Sequence, residues 1–300
     1  MISEKEMGLN MNNDNQQIRA SMDNRLFKKL SDFIYTESGI RMPMTKKTML
    51  EARLHKRLRA IGIDSFDEYC SYLFSPEGIA SEVVHMIDVV STNKTDFFRE
   101  GIHFEYLVEQ ALPDMINSRG SGIRRPFLVW SAACSSGEEA YTLAMVLDAF
   151  SKKAPGFEYM VLGTDISTRV LETARDGIYN ESSIEPVPDG FKNAYLMHSK
   201  DRSKGMVRIV PELRTHVRFR QLNFMAGDFG MREKQDVIFC RNVLIYFDQP
   251  TQERVLKRLC SHLSEGGYLF TGHSETLNGM DLPVEPVANT ISKKVKGPQR

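Results

Sequence analysis

From Phe127 onward, short apolar runs alternate with helical patterns, and this alternation limits the fold more than any other feature of the chain. Phe127-Leu128-Val129-Trp130 follows Pro126, and Leu143, Ala144, Val146, Leu147 and Phe150 then recur at helical spacing. A second run from Tyr159 ends at Asp165, with a helix predicted over Ser167 to Ala174. A third, Val217 to Leu222, ends in Asn223. Val237-Ile238-Phe239-Cys240 is wholly apolar, as a central parallel strand requires, and ends in Arg241-Asn242. Asp248 with Pro250 starts a helix predicted to run to about Leu263 and to end before Gly266-Gly267. Tyr268-Leu269-Phe270 reads as the next strand, and Val284 to Val295 as edge strands. At least five strands in βα order imply an α/β, doubly wound sheet. The alternation lapses over about residues 178–213, where Pro186, Pro188, Gly190 and Gly205 precede an alternating run, Met206 to Val210. That stretch is expected to be an inserted, small antiparallel β-subdomain.

Upstream the pattern is helical. Phe27, Leu30, Phe33 and Ile34 recur at helix spacing. Leu50, Leu54, Leu58 and Ile61 make an apolar face that Gly62 ends as a cap. Segments around Phe66, Tyr69 and Leu73, and from Ile79 to Val90, complete a small bundle. We therefore expect a helical domain over 23–91 and the α/β domain over 92–300. Residues 1–22 are polar, centred on Asn12 to Gln17, and are expected to be a disordered tail. The predicted helix from Lys46 to Ile61 also groups Lys46, Arg53, Lys56 and Arg57 beside its apolar face. They form either a solvated face or a docking surface for an acidic partner.

Composition mainly excludes. Three hundred residues suggest two domains or one elaborated one. Thirty-nine basic residues balance 39 acidic ones, so no global field draws the chain to nucleic acid or to a membrane surface. No apolar run approaches the roughly 20 residues of a membrane span. The N-terminus lacks the apolar core of a secretory signal. Four dispersed cysteines suit free thiols in a reducing cytoplasm. The seven histidines show no metal-ligand spacing, so no metal is expected.

Candidate binding residues collect at predicted strand ends. Trp130 to Tyr141 reads as strand, small-residue turn and helix, and the crevice beyond such a strand is the usual ligand site of an open sheet. Glu138 and Glu139 at the helix start would repel phosphate and suit a ligand with cationic groups. Asp165, at the tip of the second strand, either holds ribose hydroxyls or caps the next helix. Ser91 to Glu100 is either a linker with a cap or a binding segment offering Asn93, Thr95 and Arg99. Glycine fingerprints of dinucleotide sites, P-loops and hydrolase elbows are absent. A carboxylate for ribose together with acids after the first strand fits S-adenosylmethionine, which carries a ribose, an ammonium and a cationic sulfonium.

Five segments carry a resemblance: Thr92 to Glu100, Trp130 to Tyr141, Gly163 to Ser167, Phe239 to Asp248 and Gly272 to Glu275. In this order they resemble the CheR-type chemotaxis receptor methyltransferases, over about residues 25 to 290. The resemblance implies methyl transfer from S-adenosylmethionine, leaving S-adenosylhomocysteine, to glutamates on the cytoplasmic helices of chemoreceptors. It implies a cofactor site lined by Asn93, Thr95, Arg99, Glu139, Asp165, Asn223, Phe224, Arg241 and Asn242, with Glu139 on the amino group and Asp165 on the ribose. It places Arg99 and Tyr246 near the methyl group as the catalytic residues. It also favours Arg53, Lys56 and Arg57 as receptor-docking residues, since methylation helices are rich in glutamate. A cytoplasmic monomer is expected, with no nucleic-acid partner and no membrane insertion.

The implied chemistry needs little machinery. An exposed glutamate, with a pKa of about 4.3, is already a carboxylate at neutral pH, so no general base is required. Placement in line and exclusion of water carry the acceleration. Two departures from the family stand out. Loop His198 to Gly205 lacks the earlier glycines with which some members hold a receptor tail peptide, and Cys134 stands where a small residue such as Ala is frequent. Two rivals remain open at this point: a methyltransferase with another target, and a non-catalytic module that binds cofactor or receptor.

Overall fold

A computed structural model describes residues 21–295. The expected tail lies outside the described residues except for Ser21 and Met22. Two compact units divide the described chain. One takes the chain up to Asp32 together with Met42–Val90, and the other takes Phe33–Arg41 and everything from Ser91.

The first unit is helical. It holds the start of α1 (Asn24–Ser38), then α2 (Lys47–Ile61), α3 (Phe66–Leu73) and α4 (Pro76–Val90). A 3-10 turn, Met44–Lys46, precedes α2, so the helix starts one residue later than the spacing predicts. Leu50, Leu54 and Leu58 are fully buried, as their periodicity requires. Gly62 ends α2 in the left-handed conformation at φ 69°, and its N–H closes on the carbonyls of Leu58 and Arg59.

The basic residues of α2 divide into two kinds. Arg57 forks onto Glu82 at 2.9 and 2.6 Å, and the Tyr69 hydroxyl donates to the same carboxylate at 3.0 Å. Arg53 Nη1 donates to the Val90 carbonyl. Lys56 and Arg59 stay exposed. Two of the three expected docking residues therefore spend their guanidinium groups inside the helical unit.

The second unit is built on a sheet. Its leading helical segment runs through α5 (Ile102–Tyr106), a π turn at Leu107–Ala111 and α6 (Leu112–Arg119). The sequence pattern predicts one helix over Ile102 to Ile116. Pro113 has no N–H to return to the carbonyl four residues back, and the ladder widens: the Leu112 N–H reaches the Leu107 carbonyl. Then follow β1 (Phe127–Ala132), α7 (Glu138–Ser151), β2 (Tyr159–Asp165) and α8 (Thr168–Asp176). Next come β3 (Ile178–Asn180), α9 (Asp189–Tyr195), β4 (Leu196–His198) and β5 (Met206–Ile209). These three strands form a small antiparallel sheet of order β3-β5-β4. The chain continues through α10 (Pro211–Arg214), β6 (Val217–Gln221), β7 (Gln235–Cys240), α11 (Gln249–His262), β8 (Leu263–Thr271), β9 (Val284–Ala288) and β10 (Ile291–Lys294).

The main sheet has the order β6-β2-β1-β7-β8-β10-β9. Its first five strands are parallel, and β10 and β9 are added antiparallel. Strand β8 starts at Leu263, where a helix end and a glycine break were predicted. Between its pairings with Gln235 and Val237 it advances from Leu263 to Tyr268, so the glycines lie in a bulge within the strand. Chain order runs outward from β1 to β6, then returns to β7 on the other side. The β1/β7 junction is thus the switch point, where the loops part and leave a crevice.

Candidate cofactor and active site

Four loops at the carboxyl ends of β1, β2, β6 and β7 surround one cleft, with about 950 Å³ of space out to its open mouth. Every residue that the sequence marks for cofactor or catalysis lines it. Asn93, Thr95 and Arg99 enter from the segment before α5, and Glu139 from the first turn of α7. Asp165 comes from the end of β2, Asn223 and Phe224 from the loop after β6, and Arg241, Asn242 and Tyr246 from the loop after β7. Arg53, Lys56 and Arg57 are not among the lining residues.

Asp165 is held by backbone. One oxygen accepts the Ser135 N–H at 2.8 Å and the other the Ser167 N–H at 3.0 Å. The cap of α8 belongs to Ser167, whose hydroxyl accepts the Val170 N–H. Asp165 therefore ties the β1 and β2 loops together. These two amides fix the orientation of the carboxylate at the strand end.

Glu139 lies in a buried charge cluster. Its Oε1 accepts the Ser131 hydroxyl at 2.6 Å and its Oε2 pairs with Arg241 Nη1 at 3.1 Å. Arg241, 6% exposed, also donates to Glu100 Oε2 at 2.9 Å and to the Arg99 carbonyl. Two carboxylates thus share one guanidinium. Burial pushes the Glu139 carboxyl above the usual range, although Arg241 opposes it. Burial pushes Glu100 the same way, but its hydrogen bond and proximity to Arg241 win and hold it below. His103 is fully buried, and burial together with the charge of Arg241 lowers it to about 4, so it adds no positive charge at neutral pH. The donor atoms of Glu100, His103 and His273 lie within 4.8 Å of one another, but the Glu100 carboxylate is already taken by a guanidinium.

The other glutamate of the turn, Glu138, faces away from the cleft lining and takes the Ser136 hydroxyl on both oxygens. Asn223 is partly committed: its amide donates to the Glu37 carbonyl at 2.6 Å, and its oxygen accepts the Met225 N–H. Asn93 contrasts with it. Its Nδ2 is buried and has no hydrogen-bond partner. That is one unspent donor at the cleft, the kind of group a bound molecule satisfies.

The backbone is strained where these groups converge. Among the described residues six non-glycines take positive φ, and five stand on the loops at this site: Phe98, Glu100, Ala133, Ser135 and Asn242. Each costs of order 1–3 kcal/mol, so its surroundings must over-determine it. For Asn242 the clamp is Glu275, which accepts the N–H groups of Asn242, Leu244 and Gly272. Gly272 has to be glycine there, since a Cβ would stand 2.6 Å from the Asn242 amide and 2.8 Å from the Glu275 carboxylate.

This chain matches the family described as CheR methyltransferase, SAM binding domain over residues 93–292, and CheR methyltransferase, all-alpha domain over 25–91. The chemotaxis protein methyltransferase of Borreliella burgdorferi is 39% identical over 278 residues, covering 91% of this chain and 95% of that protein. The chain belongs to the CheR methyltransferase family. The Escherichia coli chemotaxis protein methyltransferase is 38% identical, covering 88% of each chain. A probable chemotaxis protein methyltransferase of Rhizobium etli is 36% identical, covering 82% of this chain and 90% of that protein. As a CheR methyltransferase the chain is an S-adenosylmethionine-dependent enzyme.

Sequence reasoning missed several participants in this CheR site. Glu100 and Glu275 were quoted within motifs but given no role, although each organises a loop. Ser38 and Ile40 also line the cleft. They follow from the end of α1, which is fixed by the Asn223 amide on Glu37, by the Arg41 N–H on the Tyr246 carbonyl and by the Tyr35 hydroxyl on Asp248. Only the distant position of that segment in the chain hid it.

Proposed function

We propose that the enzyme transfers the methyl group of S-adenosylmethionine to glutamate side chains on the cytoplasmic helices of chemoreceptors, acting in the cytoplasm as a monomer. The domains are a helical receptor-facing part, about 23–91, and a methyltransferase part, about 92–300, with the insertion at about 178–213. No described helix is long and apolar enough to cross a membrane.

The single observation that carries the cofactor reading is the charge count of the buried cluster. Glu139 and Glu100 supply two negative charges, Arg241 one positive charge, and His103 none. An ammonium group beside Glu139 makes good the missing positive charge. The residues present fit the cofactor in other respects too. Asp165 brings a carboxylate to the cleft wall where a ribose would lie, the unpartnered Asn93 amide is a donor in reserve, and Phe224, with Leu222, gives the cleft an apolar wall for a flat ring. Thr95, Asn223 and Asn242 complete the lining.

When bound, S-adenosylmethionine supplies a methyl group on a cationic sulfur, and its transfer to a carboxylate cancels one charge of each sign. The protein need only orient the acceptor and keep water away, because the substrate glutamate is ionised at neutral pH. Arg99, half-buried at the cleft, offers a guanidinium to that carboxylate, and Tyr246 a hydroxyl beside it. For receptor docking the exposed charge on α2 comes from Lys56 with Arg59, while Arg53 and Arg57 hold the helical unit together.

The test uses labelled S-adenosylmethionine, receptor-bearing membranes and the purified protein. Base-labile methyl ester on the receptor is the expected result. Label on a small molecule or RNA, or cofactor binding without transfer, would overturn this reading.

A further inference from the structure

We infer that Glu100 is a positioning residue for the cofactor site: acting through Arg241 and Asn242, it holds the β7 loop in place and keeps the cluster around Glu139 one negative charge in excess. The inference rests on the cofactor reading above and adds a residue to which that reading gives no role.

Three independent observations converge on Glu100. Its Oε2 takes both Nε and Nη2 of Arg241, at 3.3 and 2.9 Å, so the guanidinium is gripped along one edge while Nη1 is left for Glu139. Its Oε1 takes the Asn242 amide and the His273 backbone N–H, each at 3.3 Å, which spans the loops after β7 and β8. Its own backbone is left-handed, φ 57°, an uncommon conformation for glutamate that these four contacts fix in place. The Arg99 carbonyl adds a further bond to Arg241, so the strained turn at 99 and 100 grips the guanidinium from backbone and side chain together.

Charge follows from geometry. The groups facing Glu100 are Arg241 from the β7 loop, His103 from α5, His273 from the β8 loop and, across the guanidinium, Glu139 from α7. With Glu100 ionised, Arg241 is shared between two carboxylates and cannot neutralise Glu139 alone. Glu139 then keeps its attraction for a ligand cation. Without the Glu100 charge, Arg241 would satisfy Glu139 internally and the ammonium would meet a neutral pair.

Calorimetric titration with S-adenosylhomocysteine, which keeps the ammonium and lacks the sulfonium, tests this across a pH series run from neutrality into acid. The wild type should bind more weakly as acid protonates Glu139. E100Q should bind about tenfold more weakly at neutral pH, the size of one lost charge interaction, and its acid-side midpoint should move to lower pH. E100D keeps the charge at a shorter reach, so it should lose affinity with the midpoint unmoved. In turnover assays E100Q should raise the KM for S-adenosylmethionine more than it lowers kcat. An E100Q midpoint equal to the wild type's, or a midpoint shift in E100D, overturns the inference while leaving the cofactor reading intact. Failure of the wild type to bind overturns both.

Discussion

Each unit of this enzyme sets an arginine against glutamate away from open solvent, and the two arrangements differ in balance. In the helical unit Arg57 meets Glu82 one to one, and Tyr69 fills the remaining position. Burial raises Tyr69, the neighbouring carboxylate adds to that, and its hydroxyl stays a donor. In the sheet unit Arg241 meets Glu100 and Glu139 together, and a negative charge is left over. Sequence alone does not show the partners: Arg57 reads as one of a basic group beside an apolar helix face, and Arg241 as the residue that ends a wholly apolar strand. The count of partners separates them. A balanced pair is architecture, and an unbalanced one lining a cleft is a place for a cationic ligand.

Removing the balanced pair should have the largest effect. R57A leaves Glu82, 1% exposed, without its cation, and breaking such a pair costs about 3–5 kcal/mol. Chemical denaturation should show that loss, while the folded fraction keeps its affinity for S-adenosylhomocysteine. A loss below about 0.5 kcal/mol, the range of ordinary surface changes, would place Arg57 with the docking residues after all.

Next comes the unbalanced cluster. E139Q removes the proposed ammonium partner and should weaken S-adenosylhomocysteine binding by about 1.5–3 kcal/mol, as for a hydrogen bond to a charged group. Turnover at saturating cofactor should fall less than affinity does.

The pH response separates the two regions further. Burial lifts the Glu139 carboxyl in the free enzyme, and a bound ammonium favours its charged form, so its pKa falls on binding. Affinity is therefore full above the free-enzyme value and is lost as pH falls through it. E139Q should abolish that acid-side loss, which binding isotherms across pH would reveal.

The smallest effects belong to the exposed face of α2. K56E with R59E should leave the melting midpoint nearly unchanged and raise the KM for receptor a few-fold, as rim charges do by slowing encounter. An unchanged KM for receptor would move docking elsewhere on the protein.

Much of this was legible because period and position are local properties. The wholly apolar run at Val237 to Cys240 marks a central strand, and β7 lies between β1 and β8. Residues just past each strand end meet at the switch point wherever a doubly wound sheet forms, which is why position alone made Asp165 a candidate, whereas Asn223 and Arg241 entered through the family resemblance. Partner choice was not legible. Arg57 looked like surface charge because Glu82 is 25 residues away and its inward orientation leaves no trace in the α2 pattern. Glu100 drew no role because a strained turn directs its side chain, and such turns carry no signature when glycine is absent. The π turn and the early start of β8 were missed because each depends on which carbonyl or neighbouring strand receives an N–H.

A crystal structure with S-adenosylhomocysteine bound is the most direct test of the central claim. The account predicts the ligand's amino group within hydrogen-bond reach of the Glu139 carboxylate, about 3 Å, with Arg241 still bridging Glu139 and Glu100. An amino group turned away from Glu139, or a ligand seated outside this cleft, would contradict it.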